Sequence, residues 1–536
     1  MATQVKSPCD EGVVRAAPDV RRAAPNVGRW VLLATIMGSS MAFIDGSVVN
    51  VALPVIQVEL NATATNVQWV VEAYLLFLGA LILVGGSLGD HFGRRRVFAI
   101  GIAIFTVSSI WCGLAPDLLA LILGRAIQGI GGALLVPGSL AIISASFSEE
   151  QRGRAFGTWS GFTSVTSVVG PVLGGVLVQY ASWRWVFFLN VPLAVIVLIV
   201  LFWRVPESRD ESATGRLDWW GATLTTVGLA AIVFGLIQAG SLGFTSPQVI
   251  AFVIIGLVIL LVFLFIESRI PSPMVSLALF RSSTFSGANL LTFLLYGALS
   301  GLTYFFPFDL IQVQGYSPTA TGAAFVPFIV TMFLLSRLIG GFADRYGARP
   351  MLIIGPTVTA VGFLLFALPG ASGSYWLTFF PAVLVMGIGM TITVSPLTTA
   401  VMGAVASSHA GIASAINNAV SRVAGLLAIA ILSIVMVAVF SSSLDQQLAA
   451  LPLSATLRQS IDAQRFKLAG ITIPTTVNSG TQASIKTAID SAFVSGFRVV
   501  VFICAALALL SALAAWALVR GKQETRGART FSTENG

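Results

Sequence analysis

Uncharged runs of about 20 residues recur along the whole chain, and they restrict its fold more than any other feature. A helix of that length crosses about 30 Å, which is the thickness of the hydrocarbon core of a bilayer. Of the 536 residues, 56% are hydrophobic and 10% are charged, and the mean hydropathy is +0.90. A soluble protein of this size exposes more polar surface than such a composition supplies. We therefore expect an all-α polytopic membrane protein.

These runs predict fourteen membrane-spanning helices. The first six are expected near 30–54, 67–88, 97–115, 118–146, 155–179 and 184–203. Two more are expected near 218–238 and 248–267, and the last six near 285–308, 320–341, 351–370, 376–402, 411–440 and 493–518. The polar, basic segment before the first run lacks the pattern of a cleavable signal, so this run is expected to stay in the membrane.

Basic residues concentrate on one side of the predicted membrane protein. The tails and alternate loops carry most of them, including Arg29, Arg94, Arg152, Arg269 and Arg349, whereas Arg184 is almost alone in the short loops opposite. Because arginine and lysine accumulate in cytoplasmic loops, both termini of this multi-pass cell-membrane protein are predicted to be cytoplasmic. The same distribution accounts for the net charge of +8 without a nucleic-acid partner.

The chain repeats a glycine-rich basic loop. The segment Gly86-Ser-Leu-Gly-Asp90-His-Phe-Gly93-Arg94 follows the second predicted helix, and Gly341-Phe-Ala-Asp344-Arg345-Tyr-Gly347 follows the tenth. Matching loops at matching positions imply two six-helix bundles with a binding site between them, and two extra helices inserted in the middle.

Five segments follow from this division. They are a tail at 1–29, an N-terminal bundle at 30–204, a linker with the extra helices at 205–284, a C-terminal bundle at 285–519 and a tail at 520–536. The second bundle includes a polar loop at 441–490 on the side opposite the tails. Part of that loop, from Leu444 to Leu468, has helical periodicity and is expected to pack as a small cap.

The repeated loops are interpreted as a conformational latch. Glycines let helix ends approach closely, and an aspartate there caps a helix or pairs with a nearby arginine. A simple basic turn that only sets topology is the alternative for each loop. The residues expected to form the latch are Gly86, Asp90, Gly93, Arg94, Asp344 and Arg345.

Two charged residues lie deep in predicted membrane helices. Asp45 is in the first helix, and Arg125 is in the fourth. Burial disfavours an ionised carboxylate, whereas a nearby cation favours it, and these opposing effects suit a reversible proton carrier. The alternatives are a hydrogen-bonded structural aspartate and an arginine that clamps backbone carbonyl groups.

Two further carboxylates, Glu72 and Asp309, fall within or at the end of apolar runs. Glu72 is a second candidate for proton coupling, and Asp309 is a candidate for the substrate cavity. Both lie near enough to a predicted membrane surface that hydration by water is the alternative for each.

Other kinds of site are not predicted. The cysteines Cys9, Cys112 and Cys504 are far apart, and the two histidines lie in polar loops, so no metal site is expected. The chain has no Gly-Lys-Ser/Thr phosphate-binding sequence, which argues against an ATP-driven pump and against a bound cofactor. A membrane enzyme would need a catalytic cluster at the interface, which the sequence does not offer. A sensor or scaffold does not account for duplicated latch loops.

Several segments resemble a known family. Residues 86–97, 125–133 and 161–175 resemble signatures of the major facilitator superfamily, and Asp45 to Pro54 resembles the first-helix motif of its 14-helix drug:proton antiporter branch. The segments Trp183 to Pro192 and Gly411 to Asn418 are also similar to that branch. The resemblance extends from Val31 to Val519.

This resemblance implies alternating access driven by the proton gradient, with export of small amphipathic molecules. It implies that Asp45 is the proton-linked carboxylate, that Arg125 is the membrane-embedded arginine, and that the fifth helix carries the antiporter motif. That motif comprises Gly170, Pro171, Gly174 and Gly175. The substrate, protons and the lipid bilayer are the expected partners, and the resemblance leaves open another substrate class, such as lipid export or solute uptake.

One segment departs from the family pattern. Ser421-Arg422-Val423-Ala424 stands where many members have Gln-Val-Gly-Gly, so Arg422 places a positive charge in the thirteenth predicted helix. This charge argues against a purely cationic range of substrates. The residues expected to line the substrate cavity are Asn50, Gln128, Asp309, Asn417 and Arg422.

Overall fold

The computed structural model describes the backbone of residues 25–209, 218–270, 273, 275–405 and 410–520. These ranges fold into helices joined by turns and short irregular segments, and they contain no β-strand. We number the fourteen long helices α1 to α14. They are Pro25–Glu59, Ala64–Phe92, Arg94–Leu114, Leu118–Ser146, Glu149–Tyr180, Trp185–Arg204, Trp219–Leu242, Pro247–Glu267, Ser283–Phe308, Val326–Tyr346, Ala348–Leu365, Phe379–Gly403, Ala410–Ala449 and Ser479–Leu518.

The long helices match the predicted spans. In the described part of the chain, thirteen helices are long and apolar enough to cross a membrane. The remaining long helix, α5, has 32 residues and ends in the apolar stretch Val169–Tyr180. Each of the fourteen predicted spans therefore coincides with a long helix, and the prediction of an all-α polytopic membrane protein is confirmed.

The predicted polar segment at 441–490 is helical at both ends. Helix α13 continues to Ala449 and α14 already begins at Ser479, so each of these helices has 40 residues. Hydropathy marks where a helix meets lipid, but backbone hydrogen bonding continues into the polar residues beyond the membrane. The connection between α13 and α14 is therefore 450–478, and it contains a short helix, Ala455–Asp462, and a 3-10 turn, Arg465–Gly470.

Two bundles and an inserted pair make up the fold. Helices α1–α6 pack against one another, as do α9–α14, whereas α7 and α8 pack together and α7 also contacts α2 and α13. The bundles meet where α2 contacts α13, where α1 contacts α9, and where α5 contacts the short helix Pro318–Ala323 that precedes α10. The inserted pair thus lies beside the α2–α13 interface.

Glycines fix the position of α4. A Cβ atom at Gly131 would stand 2.6 Å from the backbone nitrogen of Phe105 in α3, and one at Gly129 would stand 2.6 Å from the carbonyl oxygen of Tyr74 in α2. These distances are shorter than a van der Waals contact, so α4 can approach both neighbours only because it lacks side chains there. The approach holds α4 firmly between α2 and α3.

The two ends of the bundles differ. We call the end at which α1 begins and α14 ends the tail side, and the end that carries residues 450–478 the loop side. On the loop side the backbone nitrogen of Thr319 donates to Oε1 of Gln179 at 3.2 Å. There Gly175 and Gly322 lie so close to the carbonyl groups of Pro318 and Pro171, respectively, that neither has room for a Cβ atom. The bundles are therefore in contact at this end.

On the tail side the same face of α5 is open. Gly157 precedes Gly175 by eighteen residues, which is five helical turns, so both glycines lie on one face. Gly175 touches the second bundle, whereas Gly157 is exposed and has no atom within 4 Å of the position of a Cβ atom. At Gly157 no described residue of the second bundle covers this face of α5, and we call the space beside it, between the bundles on the tail side, the gap.

A six-residue turn, Arg465–Gly470, crosses the loop-side contact, and we call it the strap. The carbonyl oxygen of Lys467 accepts from Nε2 of Gln57 at 3.0 Å, and the ammonium group of Lys467 donates to Oδ1 of Asn61 at 2.7 Å. Nε2 of Gln312, which follows α9, also donates to Oε1 of Gln57 at 2.9 Å. Residues of both bundles thus meet around the strap and the end of α1.

The close approach of α4 predicts a stability effect. Gly131→Ala should destabilise the protein by about 1–3 kcal/mol, because the added methyl group meets backbone atoms of α3 that cannot rotate away. The measurement is the thermal unfolding midpoint of the purified protein in detergent. Gly157→Ala is the matched control, since open space surrounds that position, and its midpoint should not fall. Equal midpoints for the two variants would contradict the packing argument.

Candidate functional site

A buried ion pair links α1 to α4. The guanidinium group of Arg125 donates from Nη1 to Oδ2 of Asp45, and the side chains are 1% and 0% exposed, respectively. The Nε atom of Arg125 also donates to the carbonyl oxygen of Val70 in α2 at 3.0 Å. The aromatic ring of Tyr74 lies against the cation, with its centroid 4.2 Å from Cζ of Arg125. Arg125 thus acts both as the partner of the carboxylate and as a clamp on a backbone carbonyl group.

Three neutral side chains complete the surroundings of Asp45. Nε2 of Gln128 donates to Oδ1 of Asp45 and to Oγ of Ser109, both at 2.8 Å. Nδ2 of Asn190 in α6 lies 3.4 Å from the same Asp45 oxygen and 3.2 Å from Oγ of Ser109. All three side chains are fully buried. We call Asp45, Arg125, Gln128, Ser109 and Asn190 the polar cluster.

The polar cluster holds the carboxylate of Asp45 by donors on both oxygen atoms, which is the arrangement that an ionised carboxylate requires. Removing one member of a buried ion pair leaves the other charge without compensation, at a cost of about 3–5 kcal/mol. Such a pair therefore separates only when the proton on Asp45, or the access of water to it, changes at the same time. The oxygen Oδ1 of Asn190 is buried without a hydrogen-bond partner, so the cluster is not saturated.

Glu72 lies apart from the polar cluster. It is two residues from Tyr74, or about 200° around α2, so it points away from Arg125. Its side chain is fully buried, and Oε1 accepts from Nε2 of Gln68 at 3.2 Å, while Oε2 has no partner. Gly79, which lies on the same side of α2, contacts Arg422 and Val423 of the second bundle. Glu72 is thus an enclosed carboxylate at the interface of the bundles rather than a hydrated one.

Asp309 lies at the loop-side end of α9. It begins a π-helical turn, Asp309–Val313, and is 1% exposed, with Oδ1 unpartnered. Close by, Nζ of Lys486 in α14 donates to the carbonyl oxygen of Gln312 at 2.8 Å and pairs with Asp490 at 2.5 Å. Asp309 is therefore buried rather than hydrated, and it is not part of the polar cluster.

Another face of α1 points towards the gap. Phe43, Gly46, Ser47 and Asn50 recur at the spacing of one helical stripe, and all four are partly or fully exposed. The ring centroid of Phe43 lies 5.7 Å from Cζ of Arg422 in α13, which shows that this stripe faces the second bundle. Phe43 and Arg422 therefore face each other across the two bundles, and Asn50 lies on the same stripe of α1, about two turns nearer the loop side than Phe43.

The other two residues predicted for the cavity lie elsewhere. Gln128 is enclosed within the polar cluster. Nδ2 of Asn417 in α13 donates to Oδ1 of Asn289 at 3.1 Å and to Oγ1 of Thr292 at 2.7 Å, both in α9. The partly buried Asn417 thus joins two helices of the second bundle.

The predicted antiporter motif in α5 has two faces. A Cβ atom at Gly174 would stand 2.6 Å from Cγ2 of Val48, and one at Gly170 would overlap Ser47, so these glycines pack against α1. Gly175 and Pro171 instead pack against the short helix Pro318–Ala323 of the second bundle. The motif therefore connects the helix that carries Asp45 to the loop-side contact between the bundles.

The first copy of the predicted latch is tied to the end of α6. Arg94 pairs with Asp90 at 2.8 Å, and its backbone nitrogen donates to the carbonyl oxygen of Ser208 at 2.8 Å. The backbone nitrogen of Arg95 donates to Oε1 of Glu207 at 2.9 Å. Gly93 connects α2 to α3 at a positive φ of 106°, a conformation that favours glycine. Gly86 lies one turn before Asp90, and a Cβ atom added to it would stand 3.6 Å from Cβ of Pro137.

The second copy repeats the backbone geometry. Gly347 joins α10 to α11 with a φ of 86°, as Gly93 does between α2 and α3. The guanidinium group of Arg345 lies 5.3 Å from the ring centroid of Tyr346. The side chain of Asp344 lies outside the described residues. The internal repeat is thus visible in the backbone of the two turns.

Sequence reasoning missed three functional candidates. Asn190 and Ser109 complete the polar cluster, and Glu207 ties the first latch loop to α6. A polar amide or hydroxyl group within an apolar run was the available signal for the first two. For Glu207 the available signal was an acidic residue close to Arg204 and Arg209 in the sequence. No group of three or more metal-binding side chains occurs among the described residues.

Comparison with known proteins agrees with this architecture. The family model of the Major Facilitator Superfamily matches residues 35–429. The multidrug resistance protein Stp of Mycobacterium tuberculosis is 34% identical over 423 residues, which cover 78% of this chain and 77% of Stp. The puromycin resistance protein pur8 of Streptomyces alboniger is 34% identical over 79% of this chain and 84% of its own.

Two further comparisons cover nearly the whole chain. The tetracenomycin C resistance and export protein of Streptomyces glaucescens is 28% identical over 93% of each chain. A bacterial homologue of the human lysosomal transporter Spinster, solved in an inward-facing and unoccupied conformation, is 17% identical, with a TM-score of 0.62 over 92% of this chain and 98% of its own. The chain belongs to the Major Facilitator Superfamily, and it is a multi-pass membrane transporter rather than an enzyme.

Proposed function

We propose that this transporter is a proton-coupled antiporter that exports small amphipathic molecules from the cytoplasm by alternating access. The observation that carries the proposal is the fully buried pair of Asp45 and Arg125. The names of the relatives, which refer to multidrug, puromycin and tetracenomycin C resistance, support drug-like molecules as the substrates.

The polar cluster supplies a site for one proton. In the arrangement described here Asp45 is ionised and paired with Arg125. When a proton binds Asp45, the charge that holds the guanidinium group is lost, and Arg125 keeps its carbonyl and ring contacts on α2 instead. Proton binding thus removes the attraction between opposite charges on α1 and α4 and leaves a cation, Arg125, beside a neutral carboxylic acid.

Movement of α1 is transmitted through α5. Gly170 and Gly174 pack on α1 within one turn of Asp45, while Gly175 and Pro171 form the loop-side contact with the second bundle. A displacement of α1 therefore reaches the contact that must open for release on the loop side. Because rigid helices packed without intervening side chains transmit small shifts, the antiporter motif is the mechanical link in this proposal.

The two sides of the membrane are assigned by charge. The tail side carries most of the arginines, so it is the cytoplasmic side in this proposal. The gap then opens to the cytoplasm and the loop-side contact closes the outer end, which is the state that receives a substrate for export. In the same proposal the latch loops Gly86–Arg94 and 341–349 stabilise one of the two states.

The first prediction concerns the coupling residue. Asp45→Asn should abolish export of puromycin or tetracenomycin C into inverted membrane vesicles under an imposed pH gradient, because asparagine cannot exchange a proton. Exchange of substrate without a gradient should persist, since it needs alternating access but no net proton movement. The direct measurement is substrate-induced proton release from the purified protein, which the variant should lack.

Glu72→Gln is the matched comparison, because it neutralises a second buried carboxylate outside the polar cluster. Its proton release should stay within about twofold of the unmodified protein if Asp45 carries the proton. The opposite pattern, with proton release lost in Glu72→Gln and kept in Asp45→Asn, would transfer the role to Glu72. A transporter that moves lipids or takes up solutes would export none of these compounds in any variant.

A second prediction tests alternating access. In a background without cysteine, a disulfide between Gln179→Cys and Thr319→Cys should block export, because these residues are in contact on the loop side and must separate in the other state. Export is measured before oxidation, after oxidation and after reduction with dithiothreitol, which should restore it. Each single-cysteine variant serves as a control for oxidation. Unchanged export in a fully cross-linked sample would show that this contact does not open.

A further inference from the structure

Arg422 lies in α13 where the second bundle contacts α1 and α2, and no counter-ion for it is found among the described residues. Its guanidinium group is partly buried, and its Nε atom is buried without a hydrogen-bond partner. Among the described residues, no aspartate or glutamate lies within 4.0 Å of it, although the six other ion pairs besides Asp45–Arg125 show that such partners are common elsewhere. Arg422 therefore differs from Arg125, whose positive charge is compensated by the carboxylate of Asp45.

A partly enclosed, unpaired guanidinium group is expensive in a membrane protein. An arginine within a spanning helix costs at least about 2.5 kcal/mol unless it is paired or reaches water. Phe43 offers one weak contact, since its ring centroid is 5.7 Å from Cζ, but a ring face does not replace the charge of a carboxylate. Of the five N–H donors of the guanidinium group, the one on Nε is buried, and the four on Nη1 and Nη2 make no hydrogen bond to another described residue.

Apolar and aromatic groups surround this cation. Phe43 lies on α1 and forms an edge-to-face pair with Trp159 of α5, with centroids 6.5 Å apart. A ligand that reached Arg422 from the gap would therefore meet aromatic rings from two helices together with one strong donor of hydrogen bonds.

The carboxylate of Glu72 does not occupy this position. Glu72 and Gly79, the residue of α2 that touches Arg422, lie on the same side of α2, but they are seven residues apart, or about 10 Å along the helix axis. Glu72 is also held by Gln68. The donors of Arg422 are thus available to a group that comes from outside the protein.

We propose that Arg422 binds a carboxylate, or a similarly acidic oxygen group, of aromatic substrates between the two bundles. The inference rests on the proposed export function and adds one class of substrate to it, namely amphipathic molecules that carry such a group on an apolar, aromatic body. A guanidinium group binds a carboxylate through two parallel hydrogen bonds, and in a partly enclosed site this interaction is about twice as strong as a neutral hydrogen bond.

The test uses two dyes that differ in one charged group. Rhodamine B carries a carboxylate, whereas in rhodamine B ethyl ester that carboxylate is esterified and the ring system is the same. Binding of each dye is measured by fluorescence anisotropy with the purified protein in lipid nanodiscs, after subtraction of the signal from empty nanodiscs. The protein should bind rhodamine B more tightly than the ester by about tenfold.

Arg422→Gln should weaken the binding of rhodamine B by about tenfold and leave that of the ester within about twofold. Arg422→Lys should keep most of the preference, because it retains the charge. Arg269→Gln is the matched control, since Arg269 is exposed at the end of α8 and also contacts an aromatic ring, that of Phe265. It should leave the affinity for both dyes unchanged.

Each other outcome overturns the inference. A wild-type protein without preference for rhodamine B, or without binding of either dye, shows that Arg422 does not recognise an acidic group. If Arg422→Gln weakens the binding of both dyes equally, the arginine affects the shape of the gap but does not recognise the carboxylate. Export of puromycin into inverted vesicles that contain the Arg422→Gln variant tests the antiport function separately. Failure of the inference and failure of the proposed function therefore give different results.

Discussion

The ion pair between Asp45 and Arg125 imposes the strictest condition on this fold. Two opposite charges in a region without water are tolerated only if every neighbouring helix supplies a correctly placed partner. Here α2 supplies a carbonyl group and an aromatic ring, α3 a hydroxyl group, and α6 an amide. The close glycine contacts of α4 keep these partners within reach. The arrangement of at least five helices in the first bundle thus depends on one pair of charges.

Much of the architecture and part of the site could be predicted from the sequence. Apolar runs identified the fourteen helices, and the rarity of charge at membrane depth singled out Asp45 and Arg125. The proximity of these two residues followed from no local pattern, because it depends on how α1 and α4 pack. Asn190 was missed for the same reason, since an amide in an apolar run does not reveal which charge it will contact.

Hydropathy alone did not show how far the last two helices of the second bundle extend. Polar residues after Phe440 and before Phe493 indicated a loop, yet both α13 and α14 continue as helices there. The polarity of a residue indicates whether its surroundings are water or lipid, and it does not mark the residue at which a helix ends. The separation of Glu72 from the polar cluster, in contrast, follows directly from its position two residues from Tyr74. Helical geometry is thus a better guide to which side chains meet than their shared depth in the membrane.

The strap has a consequence for how the protein can be controlled from the loop side. It presents residues of the second bundle next to Gln57 and Asn61 at the end of α1, so a composite surface exists there while the bundles are in contact. In the proposed transport cycle that surface is divided when the bundles separate. An antibody fragment selected against the strap together with the end of α1 would recognise a single conformation and stop turnover without competing for the substrate.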